Sequence, residues 1–282
     1  MANLSTRPSI THIIFDMDGL LIDTENFYTQ VQQVILARFG KTFDWSLKAK
    51  MMGAKAIESA KMFVEETGIS DSLTPEQFLV EREDMLQTLF PTCNLMPGVS
   101  RLINHLKAYG LPMAVATGSH KRHFDLKTQN HGDIFLMMHH IVLGDDPDVK
   151  KGKPSPDIFL AAARRFEGVP ADPSKILVFE DAPSGVAAAK SAGMDANRAA
   201  DYLVSLGGPQ GCNYFINPMD AELDKMTWED EMCNLCEKRS VVMVPDPRLD
   251  SSYHSAADQV LSSLLDFNPV EWGLPPFKDV AN

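Results

Sequence analysis

Three aspartates and a glycine stand at fixed offsets near the start of the chain: Asp16, Asp18, Gly19 and Asp23, in the order D-x-D-G-x-x-x-D. A bare D-x-D reads most simply as an Asp-rich turn. The apolar, β-prone run Ile10–Phe15 directly before Asp16 weighs against that, as do the added Gly and third Asp. Carboxylates two residues apart at a strand end can share a pocket only where a cation or a shared proton offsets their repulsion. Mg2+, a hard cation that prefers oxygen ligands, suits such a pair. Three further runs end in residues of chemical use. Ala114–Ala116 leads into Thr117-Gly118-Ser119, which offers either a turn with a helix cap or a hydroxyl and free backbone N–H groups for an anionic oxygen. Lys153, in Lys151-Gly152-Lys153-Pro154-Ser155-Pro156, is either a solvated loop charge or a point charge for a phosphoryl group. Glu180 and Asp181 follow Ile176–Phe179, as a polar loop or as two acids facing a ligand crevice.

The elements that must position these groups follow from the hydrophobic pattern. Runs at Ile10–Phe15, Pro112–Ala116, His140–Leu143, Ile176–Phe179 and Val241–Val244 alternate with amphipathic stretches. That alternation is the signature of βαβ units around buried parallel strands. Helix starts are marked by Ser155-Pro156-Asp157 and Ala182-Pro183-Ser184. Ligands of open parallel sheets bind beyond the carboxyl ends of the strands, so all four motifs are expected at one edge. The alternation fails twice. From about 25 to 94 the pattern is helical throughout (Phe27–Phe39, Ser46–Met52, Ala56–Thr67, Pro75–Leu89), broken at Gly40, Gly53 and Gly68. A small all-helical unit is therefore expected after the first strand. The interval 195–240 shows no clear period and is far longer than the ~2–6 residues usual between a helix and the next strand. Because it joins a helix end to a strand start, it is expected at the sheet edge opposite the motifs.

Composition excludes several classes. The 282 residues carry a net charge of −12, of which 195–240 contributes −5, and this argues against wrapping nucleic acid or lying on an anionic membrane. No apolar run approaches the ~20 residues of a membrane span, and Met1–Thr11 contains no apolar signal core. Four cysteines (Cys93, Cys212, Cys233, Cys236) are too few for a disulfide scaffold, and Cys233-x-x-Cys236 lacks the second pair of a zinc site. Met51-Met52 and Met137-Met138 read as core filler, and His139-His140 as a turn or surface pair. The expectation is a soluble, cytoplasmic monomer whose partner is a small phosphorylated metabolite.

Together the four motifs resemble those of the haloacid dehalogenase superfamily of phosphatases, and the helical insertion resembles that family's cap. The stretches Phe15–Glu25, Thr42–Gly53, Phe124–Thr128, Gly144–Lys153 and Glu271–Phe277 are similar to its plant glycerol-3-phosphatase branch. They are less closely similar to pseudouridine-5'-phosphatases and FMN hydrolases. The resemblance implies an α/β fold: a doubly wound parallel-sheet core from 1–24 and 95–282, with an all-helical cap domain from 25–94. It implies Mg2+-dependent hydrolysis of a small phosphate ester, glycerol 3-phosphate first. Asp16 would be the nucleophile that forms an aspartyl-phosphate, and Asp18 the general acid–base. Thr117, Gly118 and Lys153 would hold the phosphate. Asp16, Asp18 (through its backbone carbonyl), Glu180 and Asp181 would surround the cation, and Glu25, Met52, Gly53 and Lys55 would lie at the substrate end of the cap. A nucleotide or sugar phosphate is the rival substrate and a phosphomutase the rival reaction. The rival of another class is an inactive binding homologue disturbed by 195–240, although Asp16, Asp18, Lys153 and Asp181 are all retained.

Overall fold

The computed structural model describes residues 10–51, 56–167, 172–194 and 240–278. Six strands, β1 (His12–Phe15), β2 (Met113–Ala116), β3 (His140–Val142), β4 (Ile176–Glu180), β5 (Ser240–Met243) and β6 (Gln259–Val260), form one sheet in the order β3-β2-β1-β4-β5-β6. Every adjacent pair is parallel. Helices α1 (Glu25–Ala37), α2 (Trp45–Met51), α3 (Ala56–Glu66) and α4 (Pro75–Leu89) intervene between β1 and β2. They are followed by α5 (Val99–Ala108), α6 (Lys121–Thr128), α7 (Gly132–Phe135), α8 (Asp157–Arg164) and α9 (Pro183–Met194).

The continuous apolar run of β1 reflects burial on both faces. Ile13 and Phe15 pack with Leu102 and Leu106 of α5 and with Phe267 and Trp272 from the C-terminal segment. Ile14 faces the other way, toward Phe159 and Ala162 of α8 and Val186 and Ala189 of α9. Helices therefore cover both faces, as expected of a doubly wound sheet. The five expected strands are present within two residues of their predicted ends. The sixth, β6, has only two residues and Val260 is 41% exposed, so it leaves no apolar run to read.

Strand order reverses at β1. The chain builds outward through β2 and β3, then returns to place β4 on the other side of β1. That switch point opens a crevice beyond the carboxyl ends of β1 and β4, where Asp16 and Asp181 begin the loops.

The four helices between β1 and β2 have a core of their own. Phe63 and Phe78 stack at a centroid distance of 4.1 Å among Val31, Ile35, Leu36, Ala60 and Leu86. Thr74 caps α4 by a reciprocal exchange with Gln77, and Pro75 occupies the first helical turn. The helical segment leaves and rejoins the sheet at adjacent points, where Ile22 bridges Leu95 and the Asp23 N–H donates to Asn94 O at 2.9 Å. Two contacts seat it over the carboxyl edge. Glu83 of α4 accepts from His123 of α6 at 2.7 Å, and the Arg248 guanidinium lies 4.4 Å from the Trp45 ring centroid. Met51 and Met138 are buried, as read from the sequence, and Met137 is half-buried, while Met52 lies outside the described residues. His140, expected in a turn or at the surface, is instead the first residue of β3 and half-buried, and His139 before it is exposed. Cys233-x-x-Cys236 and all of 195–240 except Ser240 lie outside the described residues.

Candidate active site

Asp16 leaves β1 with its N–H donating to Phe179 O of β4 at 3.0 Å, which fixes the two strand ends side by side. Gly19 then turns the chain at φ +80, a conformation that L side chains rarely adopt. A Cβ at Gly19 would stand 2.3 Å from Asp181 Oδ2, so the glycine is what lets the first loop and Asp181 meet. Lys153, from the loop before α8, donates to Asp16 Oδ1 and to Glu180 Oε1, the latter at 2.6 Å. Glu180 Oε2 accepts from the N–H groups of Asp181 (3.0 Å) and Ala182 (3.1 Å). Both Glu180 oxygens are thus engaged within the protein.

Asp18 points elsewhere. Its Oδ1 accepts from Thr24 Oγ1 at 2.7 Å and from Lys127 Nζ, and its Oδ2 accepts from Ser119 Oγ at 2.8 Å and Thr117 Oγ1 at 3.2 Å. The Thr117 hydroxyl, read from the sequence as a phosphate donor, is here directed at Asp18. Gly118 lines the cleft, and its carbonyl packs so closely on Gly144 that a Cβ there would lie 2.2 Å from it. Lys127 was missed by sequence reasoning. Its local signals are a place on the buried side of α6 beside Thr128 and its position within Phe124–Thr128, one of the stretches that carry the family resemblance.

The electrostatics divide the two aspartates. Burial pushes Asp16 up to about 7; Lys153 pulls it down, while the charges of Glu180 and Asp18 push it up. Asp181 is raised well above the usual carboxylate range by burial and by Glu180, Asp16 and Glu25. Burial would raise Asp18 too, but the Lys127 ammonium and the hydroxyls around it hold it below the ordinary value. The Lys153 ammonium is thus ion-paired with the buried Asp16 and Glu180, while the buried Asp181 beside them feels its charge without an ion pair to it among the described residues. Among the described residues no three Asp, Glu, His or Cys side chains form a ready-made metal cage. The donor set nonetheless fits Mg2+, which is typically bound through one or two carboxylates with water and phosphate oxygens. Asp16 and Asp181 are hard-oxygen donors whose mutual repulsion such a cation would relieve.

These groups open onto a cavity of about 1460 Å3 between the sheet edge and the helical segment. Asp16, Asp18, Lys153 and Asp181 line one side; Glu25, Tyr28, Lys48 and Arg82 line the other. Glu25, expected near the substrate, pairs with the buried Lys48 at 3.0 Å. Met52, Gly53 and Lys55 lie outside the described residues. The structure thus gathers Asp16, Asp18, Gly118, Lys153, Glu180, Asp181 and Glu25 around one cleft, with Thr117 buried directly behind Asp18.

A family model described as haloacid dehalogenase-like hydrolase matches residues 10–193. The chain is 59% identical over 276 residues to (DL)-glycerol-3-phosphatase 1, mitochondrial, of Arabidopsis thaliana, covering 98% of this chain and 78% of that protein. It is 59% identical over 273 residues to (DL)-glycerol-3-phosphatase 2 of the same plant, covering 97% and 95%. A Drosophila melanogaster protein named "Probable pseudouridine-5'-phosphatase" is 39% identical over 280 residues, covering 99% and 100%. In fold, the chain is similar to a HAD family hydrolase from Deinococcus radiodurans R1, with a TM-score of 0.65, 21% identity, and coverage of 95% and 98%. With the family model spanning the ends of both β1 and β4 and the two plant relatives spanning nearly everything else, the chain belongs to the haloacid dehalogenase-like hydrolase family, as a phosphoric monoester hydrolase.

Proposed function

We propose that this hydrolase cleaves glycerol 3-phosphate to glycerol and inorganic phosphate through an aspartyl-phosphate on Asp16. The observation that carries the reading is Asp16 itself: a 6% exposed carboxylate at the switch point, held by Lys153 and opening onto the cleft beside Asp181. The 59% identity to two glycerol-3-phosphatases supports the choice of substrate. An Asp16 oxygen attacks phosphorus as the bond from phosphorus to the glycerol oxygen breaks; Asp18, an anion while its four donors hold it, takes up a proton from solvent once it turns into the cleft and gives that proton to the glycerol oxygen. Asp18 then takes a proton from a water that attacks the same phosphorus, which frees Asp16 and releases phosphate. Proton delivery requires the Asp18 carboxyl to turn from its four donors toward the leaving oxygen. Lys153 and the Gly118 N–H offset charge on the transferring oxygens, an effect on which phosphoryl transfer mainly depends. Asp16, Asp181 and the backbone carbonyl of Asp18 would hold Mg2+, with Glu180 orienting Lys153 beside them; when bound, the cation neutralises phosphate charge.

Residues 25–94 act in this reading as a cap domain that excludes water and presents Glu25 to the leaving group, together with Met52, Gly53 and Lys55. The protein works as a monomer on a small metabolite in the cytoplasm. The mitochondrial name of one relative makes that organelle the alternative, which imaging of a fluorescent fusion decides. A second substrate reading has its own support: about 1460 Å3 is more room than glycerol 3-phosphate fills, and a nucleotide or sugar phosphate would use it. The test is a phosphate-release panel of glycerol 3-phosphate, pseudouridine 5'-phosphate, FMN and hexose phosphates, with Mg2+ and with EDTA. The expected result is the highest kcat/KM on glycerol 3-phosphate, no turnover in EDTA, and none in Asp16→Asn. Wild-type turnover by D16N, or full activity in EDTA, overturns the mechanism; preference for a nucleotide ester overturns the substrate.

A further inference from the structure

Lys127 takes no part in the chemistry above, yet it is 1% exposed, and burying an ammonium is costly unless its protons are bonded. Its three donors match the three oxygens around it: Asp18 Oδ1, Ser119 Oγ at 2.9 Å and Tyr28 OH at 3.3 Å. The Phe90 ring covers it at 4.4 Å. On the other side of the pair, a carboxylate has about four acceptor sites, and four donors reach Asp18: Thr24, Lys127, Ser119 and Thr117. Lys127 is the one charged donor of the four. Its partners come from both parts of the molecule, since Ser119 follows β2 while Tyr28 lies on α1 and Phe90 just after α4. It does not line the cleft, so it cannot touch a substrate there.

We propose that Lys127 is a positioning residue for Asp18: it holds the acid–base carboxylate at the seam between the helical segment and the sheet edge, in the pose from which it turns onto the leaving oxygen. The proposal rests on the reading of Asp18 as general acid–base. It places the effect of Lys127 in kcat and not in substrate binding. It also makes the effect depend on the leaving group, because an alkoxide needs a proton to depart and a nitrophenolate does not.

The experiment compares Lys127→Met with wild type on glycerol 3-phosphate, and on p-nitrophenyl phosphate under single-turnover conditions. Nitrophenol release then reports the first bond cleavage alone. The expected result is a loss of ~10²-fold in kcat on glycerol 3-phosphate, the scale of one general acid–base contribution, with KM nearly unchanged. First-turnover nitrophenol release stays close to wild type. Equal losses on both esters, an effect confined to KM, or unchanged kcat would each overturn the proposal. K127M leaves Asp18 without its cation, so Lys127→Gln, which keeps an N–H donor there, is measured beside it and carries the same readouts if K127M does not fold. Asp18→Asn separates the two ideas. If D18N still turns over glycerol 3-phosphate, the acid–base reading of Asp18 is what fails. If D18N is inactive and the Lys127 variants behave as wild type, only the positioning role fails.

Discussion

Substitution of Gly19 by Ala probes whether the position of the Asp181 carboxylate controls turnover. Two costs can be separated. The first is backbone strain: Gly19 has φ +80, and an L side chain in the left-handed region costs about 1–2 kcal/mol. The second is a collision. The new Cβ would lie 2.3 Å from Asp181 Oδ2, 3.0 Å from its Cγ and 3.1 Å from Glu25 Cγ, whereas ordinary contact begins at 3.4 Å. The carboxylate must therefore retreat by roughly 1 Å, and a displacement of that size in a positioned catalytic group costs about 10²-fold in rate. Gly40 supplies the control, with φ +64 and nothing within 4 Å of its Cβ position. Gly40→Ala carries the strain without the collision. Urea unfolding should show comparable losses of about 1–2 kcal/mol for both variants. Only G19A should lose ~10²-fold in kcat and need more Mg2+ for half-maximal activity. A G19A enzyme with wild-type kcat and Mg2+ requirement would refute the reasoning.

Two further outcomes follow from elements away from the cleft. Burial pushes the His140 imidazole down to about 4 from an ordinary 6.5, against the pull of its hydrogen bond with Ala162 O at 2.9 Å. The folded protein keeps it neutral while the unfolded chain takes up a proton, so its contribution is complete above pH 6.5 and is lost as pH falls toward 4. His140→Gln should flatten the decline of unfolding free energy across that window, and a decline as steep as wild type would contradict this. Deleting 195–239, so that Met194 joins Ser240, should leave phosphate release and the unfolding midpoint unchanged. Helix α9 ends at Met194 and β5 starts at Ser240, at the sheet edge opposite the loops that carry Asp16 and Asp181. A deletion variant that folds normally but has lost turnover would show that 195–239 reaches the chemistry.

The sequence by itself determined which residues end the strands. Ile10–Phe15 and Ile176–Phe179 are apolar throughout because the central strands of a parallel sheet are buried on both faces, and that local fact puts Asp16 and Glu180-Asp181 at carboxyl ends. It also determined the helical insertion, whose 3.6-residue pattern needs no partner to be read. Where those side chains point was decided only by tertiary structure. Thr117 turns to Asp18 instead of the cleft, Glu180 spends both oxygens on Lys153 and two N–H groups, and Asp18 is held by a lysine 109 residues away. The edge strand β6 was equally hidden, being two residues long and half wet. The physical reason is common to these cases. Periodicity records which face of an element is buried, but a buried polar group takes its direction from whatever partner the packing of distant segments brings within hydrogen-bond reach.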